Sequence, residues 1–261
     1  HSIEKTYSLE DGLLSSVKEE LTGHVVSYEY DELGRVKSIK DPWGTEQKIT
    51  TDWASKTGED VPSYAIYFIK TEKPNAPVQK EFYDVLGRKL RTVTERFKGK
   101  VTVDYEYNNL GQLERQSLPY SANSAPVWTR ISYDDYDRAT TQSIGEQTVS
   151  YNYGQNKITE ISSSGQTSTK TVDALGNVIK VEDSNGNEAK YRYNSFKEIA
   201  EITTPDGKAS ISYDEYGRKK EMNDPNAGKV TYQYNALGQL VSQTDANGNV
   251  MQTTYDKAGR I

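Results

Sequence analysis

Apolar and polar residues alternate with a period of two over short stretches along most of this chain. Tyrosine alternates with serine and glutamate along residues 27–30, and with lysine and arginine along residues 190–193. Alternation of this kind predicts β-strands whose two faces differ in polarity. The 3.6-residue period of a helix is absent almost everywhere, with residues 8–21 as the ambiguous stretch. The pattern therefore predicts an all-β protein.

A phrase that begins with tyrosine recurs about every 21 residues and reads Tyr-Asp/Asn-x-x-Gly-Arg/Gln. The copy at Tyr133 has Asp137 in the glycine position. Lys197 holds that position after Tyr193, and we expect the turn there to differ because lysine disfavours positive φ. The structural repeat positions are Tyr30, Gly34, Tyr83, Gly87, Tyr107, Gly111, Tyr133, Tyr153, Gly176, Tyr193, Tyr213, Gly217, Tyr234, Gly238, Tyr255 and Gly259.

Turn signals separate the predicted strands. Asp-x-x-Gly favours a type I turn that ends in a left-handed residue, and Asn-Gly dipeptides favour tight hairpins. Each repeat is therefore predicted to be a β-hairpin, and constant register would stack the tyrosines into ladders across neighbouring hairpins. The array would form a long antiparallel sheet, curved or spiral because open sheets rarely exceed about 10 strands. A second glycine series falls between the phrases, at Gly145, Gly165, Gly186, Gly207, Gly228 and Gly248.

The repeat predicts one array over residues 1–261. Residues 82–261 are regular, whereas residues 1–81 are degenerate, with eroded copies near Tyr7 and Trp53. Residues 54–79 break the register and contain three prolines, so they are interpreted as an insertion or long loop. Because the last hairpin would leave a bare strand edge, we expect this array to be a fragment of a longer chain.

Composition sharpens this picture. The 261 residues include 20 tyrosines but only 4 phenylalanines and 3 tryptophans, and hydrophobic residues make up 34%. A single sheet layer joined by tyrosines explains so small an apolar supply. No apolar run reaches membrane-spanning length, and no cysteine is available for a disulfide. The net charge of −6 argues against a nucleic-acid partner.

Candidate chemistry is sparse. His24 is the only internal histidine, and we interpret it as a surface strand residue rather than a catalyst. The segments 183–187 and 245–249 resemble parts of calcium loops but lack the full ligand pattern, and we interpret them as turns. No phosphate-binding loop occurs, and we expect neither a cofactor nor a metal site. The tyrosine rows could also serve as sugar-stacking platforms, which is kept as an alternative to a purely structural role.

The recurring Y-D-x-x-G-R/Q-L phrase, with N-G or D-G between copies, resembles the YD repeat of Rhs proteins. That family includes bacterial Rhs and wall-associated polymorphic toxins, the B and C components of insecticidal toxin complexes, and teneurins. The resemblance implies a hairpin ribbon wound into a hollow shell that encloses a C-terminal toxic domain. Residues 41–44 echo the family's D-P-x-G-L cleavage signature but lack the leucine, so we interpret them as a turn.

The resemblance implies a non-catalytic structural module, part of a shell that encapsulates or carries a toxin or effector polypeptide. Its partners would be the rest of its own longer polypeptide and the enclosed effector, and its location secreted or on the bacterial cell surface. The alternative is a repeat array that binds a cell-surface glycan or a receptor. An enzyme is the third class considered. A six-bladed propeller is the alternative architecture, although Trp-Asp signatures are absent.

Overall fold

The computed structural model describes residues 2–121, 124–256 and 259–261, and within them the chain is all-β. It has 24 strands and one short 3₁₀ helix, and every strand pairing given below is antiparallel. The prediction of tandem β-hairpins is therefore confirmed. The chain divides into two compact units, residues 1–146 and residues 147–261, which are described separately.

The first unit contains thirteen strands among its described residues. They are β1 (Ile3–Tyr7), β2 (Leu14–Glu19), β3 (Val25–Tyr30), β4 (Val36–Lys40), β5 (Glu46–Trp53), β6 (Tyr67–Glu72), β7 (Val78–Tyr83), β8 (Lys89–Arg96), β9 (Gly99–Tyr107), β10 (Leu113–Ser117), β11 (Tyr120–Ser121), β12 (Trp128–Tyr133) and β13 (Ala139–Ile144). The ambiguous segment after Tyr7 thus forms strand β2 and its turn.

Each strand from β1 to β9 pairs with the next strand in sequence. The nine-residue β9 then has two partners on its second side. Its C-terminal half pairs with β10 and its N-terminal half with β11. Strand β10 continues to β12, and β12 to β13. The hairpin order of the sequence is thus also the order of the strands in space.

The second unit is more regular and contains eleven described strands, each paired with the next. They are β14 (Gln147–Tyr153), β15 (Lys157–Ser162), β16 (Thr167–Val172), β17 (Val178–Asp183), β18 (Glu188–Tyr193), β19 (Ile199–Thr204), β20 (Gly207–Tyr213), β21 (Lys219–Asp224), β22 (Gly228–Tyr234), β23 (Leu240–Thr244) and β24 (Val250–Gln252).

The region read as an insertion, 54–79, is narrower in the structure. Its second half forms β6, which pairs with both β5 and β7. The irregular part is the 3₁₀ helix Ala54–Lys56 and the loop that follows it to residue 66. This segment covers one face of the sheet around Phe82, which is fully buried. Ala54, Phe68, Phe82 and Val93 form a small apolar cluster there, with Ala65 packed against it.

The second unit has almost no core of this kind. Ala209, at 7% exposure, is the only apolar residue among its described residues that is as well buried as the first unit's cluster. Its strands have one face of tyrosine and aliphatic residues and one charged face. On the charged face, Glu201 accepts salt bridges from Arg192 at 2.9 Å and from Lys208 at 2.8 Å. This matches the thin apolar supply of the sequence.

Candidate functional site: the tyrosine and turn motif

The Tyr-Asp-x-x-Gly phrase forms a turn held by the side chain of its aspartate. In the turn after Tyr30, Asp31 Oδ1 accepts hydrogen bonds from the backbone N–H groups of Leu33 and Arg35, at 3.0 and 2.9 Å. The N–H of Gly34 donates to the carbonyl of Asp31, and glycine tolerates the required φ of +73°. The repeat glycines all have positive φ, namely Gly34, Gly87, Gly111, Gly176, Gly217, Gly238 and Gly259.

The turn does not depend on glycine. Asp137 and Lys197 adopt φ values of +62° and +65° in the same position. The N–H of Lys197 donates to the carbonyl of Asn194 at 3.1 Å, as glycine does in the other copies. The expectation of a different turn at Lys197 was therefore wrong. The side-chain bonds of the first turn residue hold the backbone there despite the unfavourable φ of lysine.

The first and fifth residues of the turn are chemically matched. Oδ1 of the first residue is occupied by two backbone N–H groups, so only its second side-chain atom can meet the fifth residue. In Asp214 that atom is an acceptor, and Arg218 Nε donates to it at 2.7 Å. In Asn235 it is a donor, and it donates to Gln239 Oε1 at 2.7 Å. A carboxylate therefore requires a donor at position five, and an amide requires an acceptor.

Among the described residues, eleven turns follow this rule. The aspartate pairs are Asp31–Arg35, Asp84–Arg88, Asp134–Arg138, Asp173–Asn177, Asp183–Asn187, Asp214–Arg218, Asp245–Asn249 and Asp256–Arg260. The asparagine pairs are Asn108–Gln112, Asn194–Glu198 and Asn235–Gln239. This pairing is visible in the sequence, because Asp at the first turn position occurs with Arg or Asn at the fifth, and Asn occurs with Gln or Glu. It was overlooked in the prediction from sequence.

These bonds favour the ionised form of the aspartates. The side-chain hydrogen bond from Arg35 lowers the pKa of Asp31, and the bond from Arg138 does the same for the pKa of Asp134. Asp183 and Asp245 of the calcium-like segments also have a lowered pKa, because Asn187 and Asn249 donate to their carboxylates. Their oxygens therefore serve their own turns. Among the described residues no group of three His, Cys, Asp or Glu side chains could hold a metal ion.

The repeat tyrosine joins each hairpin to the previous one. Tyr213 OH donates to the carbonyl of Ile199 at 2.9 Å, and Tyr234 OH donates to that of Lys219 at 2.9 Å. Each acceptor lies two residues beyond the fourth residue of the preceding turn. We call a tyrosine with this bond a cross-hairpin tyrosine. The other described examples are Tyr30 to Leu14, Tyr107 to Lys89, Tyr133 to Leu113, Tyr193 to Val178 and Tyr255 to Leu240.

Tyr83 has a different setting from the cross-hairpin tyrosines. Tyr83 OH donates to Glu81 Oε2 at 3.0 Å, and its ring stacks on Tyr67 with 5.1 Å between centroids. Burial, with the nearby Glu81 carboxylate, raises the pKa of the Tyr83 hydroxyl far above its ordinary value. Tyr153 ends strand β14, immediately before a shorter turn.

The sequence predicted ladders in which tyrosines of neighbouring hairpins stack on one another, whereas the contacts of the tyrosine rings in the structure are more varied. Ring-on-ring stacking of two tyrosines is described at Tyr67 and Tyr83. In two other copies the arginine of the preceding turn lies over the tyrosine ring. Arg88 Cζ is 4.9 Å from the ring centroid of Tyr107, and Arg218 Cζ is 4.7 Å from that of Tyr234. The guanidinium is held by its turn aspartate, so turn and tyrosine form one unit.

In seven of the described turns the third residue is apolar and exposed. Leu33 is 75% exposed and Phe196 81% exposed. The same position holds Leu86, Leu110, Tyr136, Leu175 and Tyr216, all exposed to a similar degree. Exposed apolar side chains therefore recur at the same turn position along the chain.

The 54–66 loop creates a polar groove on the first unit. Arg91 donates two hydrogen bonds to Asp104, at 2.5 and 3.0 Å, and one to the backbone oxygen of Asp60. Tyr120 OH donates to the same carboxylate at 2.6 Å, and burial raises the pKa of this hydroxyl. The adjoining groove has a volume of about 520 Å³. Tyr64 on its rim is 88% exposed with a φ of +67°.

Two other expectations concern single features. The His24 ring, in the turn before β3, lies edge-on to Trp43 in the turn after β4, with 5.3 Å between centroids. In the described part of the chain, no helix is both long and apolar enough to cross a membrane.

Comparison with known proteins places this motif in a family. The RHS Repeat family model matches residues 7–46, 172–209, 213–250 and 234–261. Together with the hairpin geometry, these matches define the chain as a tandem array of structural repeats. The chain belongs to the Rhs/YD-repeat family. No curated protein matches it.

Solved structures show the same fold at low sequence identity. The crystal structure of TcdB2-TccC3 is 12% identical with a TM-score of 0.62, and the match covers 97% of this chain and 18% of that one. The structure titled TcdB2-TccC3-Cdc42 is 11% identical with a TM-score of 0.53, covering 98% and 18%. The chain therefore spans less than a fifth of the length of these relatives.

Proposed function

We propose that this chain is a non-catalytic structural module, part of an Rhs-type shell that encloses or carries a toxin or effector polypeptide. The observation that carries the proposal is the use of the motif's own side chains. The aspartate, arginine and tyrosine that recur in the RHS repeats bond to one another or to the backbone of the neighbouring hairpin. These side chains therefore hold the sheet together, and few recurring polar groups are left to act in catalysis.

The surroundings of the motif support an assembled role. Exposed apolar residues at the third turn position give each unit a row of contact points for other protein surfaces. The similar solved structures have titles that name TcdB2 together with TccC3. By analogy, the partners of this chain are the rest of its own polypeptide and an enclosed effector, and its location is secreted or on the bacterial cell surface.

Protease protection tests the proposal on the complete polypeptide that contains these repeats. We expect its effector segment to resist a protease in the native protein and to be cleaved once the repeats are unfolded in urea. The same segment expressed alone is the control and should be cleaved at once. Equal cleavage rates in the native protein and in the isolated segment would overturn encapsulation.

Glycan or receptor binding is the second candidate, and one observation favours it. The exposed Tyr64 ring stands over a groove lined by Arg88, Arg91 and Asp104, and sugars are commonly held by an aromatic ring beside planar polar groups. By contrast, the Tyr193 hydroxyl is already used by the carbonyl of Val178. A glycan array comparing the chain with Tyr64→Ala tests this candidate, and equal signals from both proteins would exclude this groove.

A further inference from the structure

The copy of the repeat that follows β4 lacks a cross-hairpin tyrosine. In the register of β4 and β5, Ser38 pairs with Lys48 and Lys40 with Glu46. Continuing that register places Thr51 opposite Arg35. In the regular copies, the same continuation places Tyr107 opposite Arg88 and Tyr234 opposite Arg218. Thr51 therefore occupies the tyrosine position, and the eroded copy assigned to Trp53 is two residues out of register.

The other half of the contact is present at this copy. Arg35 is fixed by Asp31, with 2.7 Å from Nε and 2.6 Å from Nη2 to Oδ2. Arg88 and Arg218 are held by their aspartates in the same way, and each also lies over a tyrosine ring. The carbonyl of Val36 lies two residues beyond Gly34, in the position of the tyrosine acceptor. Among the described residues, no tyrosine hydroxyl donates to it.

A groove lies where the ring would be. It has a volume of about 690 Å³ and is lined mainly by apolar side chains. Its walls include Leu33 and Arg35 of the turn, Val36 of β4, and Ile49, Thr51 and Trp53 of β5. Trp53 is 59% exposed and adds an aromatic surface at one end. A threonine in place of tyrosine leaves room for a six-membered ring between these groups.

We propose that this groove is a binding site for a tyrosine side chain presented by another polypeptide segment. The seven cross-hairpin tyrosines identify the occupant, because each places a phenol ring on the equivalent strand position with its hydroxyl on the equivalent carbonyl. The bound ring would lie against the Arg35 guanidinium and donate its hydroxyl proton to the Val36 carbonyl oxygen. Trp53 would cover its outer edge. The site does not depend on what the shell encloses.

Titration of the ¹⁵N-labelled chain with N-acetyl-L-tyrosinamide tests the site by NMR. The Trp53 indole N–H signal, assigned with Trp53→Phe, should shift and saturate. N-acetyl-L-phenylalaninamide lacks only the hydroxyl, so we expect it to bind about 2- to 12-fold more weakly. Equal affinities for the two amides, or no shift with either, would overturn the proposal.

A matched pair of variants ties the binding to this groove. Thr51→Tyr should supply the missing ring from within the chain, abolish tyrosinamide binding and raise the unfolding temperature. Thr50→Tyr adds the same ring on the opposite face of β5, leaves the groove open and should bind as the parent does. Should Thr51→Tyr fail to fold, Arg35→Gln provides the second measurement and should weaken tyrosinamide binding. Undiminished binding by folded Thr51→Tyr, or by Arg35→Gln, would contradict the assignment.

Discussion

The repeat copies around β5–β8 and those around β18–β23 are joined to their neighbouring hairpins by different contacts. Both are antiparallel hairpins of similar length from one chain. In the second unit, Tyr193, Tyr213 and Tyr234 each reach back to a carbonyl of the preceding hairpin. In the first unit, Thr51 stands at that position, and the chain after β5 folds over the sheet to bury Phe82.

The difference shows which requirement is general. In both regions the hairpins are joined to their neighbours by contacts besides the backbone ladder. A tyrosine bond does this with partly exposed groups, whereas the 54–66 loop does it by removing apolar surface from water. The loop is longer and specific to one place, so it cannot recur in every copy. The tyrosine bond needs only one residue and therefore repeats.

The largest expected effect comes from removing the buried ring of the first unit. Phe82→Ala should lower the free energy of unfolding by about 3–5 kcal/mol, because the side chain is fully buried and leaves a cavity beside Phe68. Urea unfolding measures the loss, and hydrogen exchange should localise it to β6–β9. Ile211→Ala in the second unit is the control. Because the Ile211 side chain is partly exposed, its removal should lower the free energy of unfolding by less. Equal losses at the two sites would break the comparison.

A smaller effect should follow from mismatching a turn pair. Asp84→Asn places an amide N–H against the Arg88 guanidinium, so two donors face each other in a turn where Asp84 is only 5% exposed. We expect a loss of about 1.5–3 kcal/mol in the free energy of unfolding. Asp214→Asn should lower the free energy of unfolding by less, because the Asp214 side chain is more exposed. Chemical unfolding of both variants provides the measurement.

The rescue of that variant separates the pairing rule from simple loss of charge. Asp84→Asn combined with Arg88→Gln recreates the Asn–Gln pair seen at residues 235 and 239. The double variant should therefore recover most of the lost stability. If it were less stable than Asp84→Asn alone, the complementarity of the eleven turns would have no energetic basis.

The sequence predicted the regular part of the fold because its signals are local. Strand alternation and the Asp-x-x-Gly turn each occupy fewer than ten residues, so they could be identified without knowing the register. Strand β6 was missed because Pro74 follows it and no Asp-x-x-Gly phrase marks its turns. The 54–66 loop gave no sign of the face it covers, since Phe68 and Phe82 meet it only after the strands are paired.

The candidate site was predictable in its residues but not in its contacts. Tyrosine and glycine positions were evident from the repeat, yet the acceptor of a tyrosine hydroxyl is a backbone carbonyl 14 to 20 residues away. Such a bond leaves no pattern of side chains in the sequence. Thr51 was overlooked for the related reason that Trp53 is the nearer aromatic residue, and only the strand register separates the two.

The smallest expected effect concerns the tyrosine bond itself and its pH dependence. Tyr213→Phe removes one hydroxyl and should lower the free energy of unfolding by about 0.5–1.5 kcal/mol at pH 8. Burial, with the nearby Glu198 carboxylate, raises the pKa of Tyr213 in the folded chain. The folded state therefore holds this proton more firmly than the unfolded state does.

The stability gained from that proton is complete below pH of about 10, the ordinary tyrosine value, and is lost as the pH rises through the folded pKa. The parent and Tyr213→Phe should therefore differ most at pH 8 and converge in alkaline solution, as measured by urea unfolding across this range. Tyr216→Phe is the control, since this neighbouring ring is 74% exposed, and it should match the parent throughout. Equal stability of the parent and Tyr213→Phe at every pH would mean that the ring, which phenylalanine retains, rather than the hydroxyl bond, joins the hairpins. The second unit would then resemble the copies around β5–β8, with packing in place of a tyrosine bond.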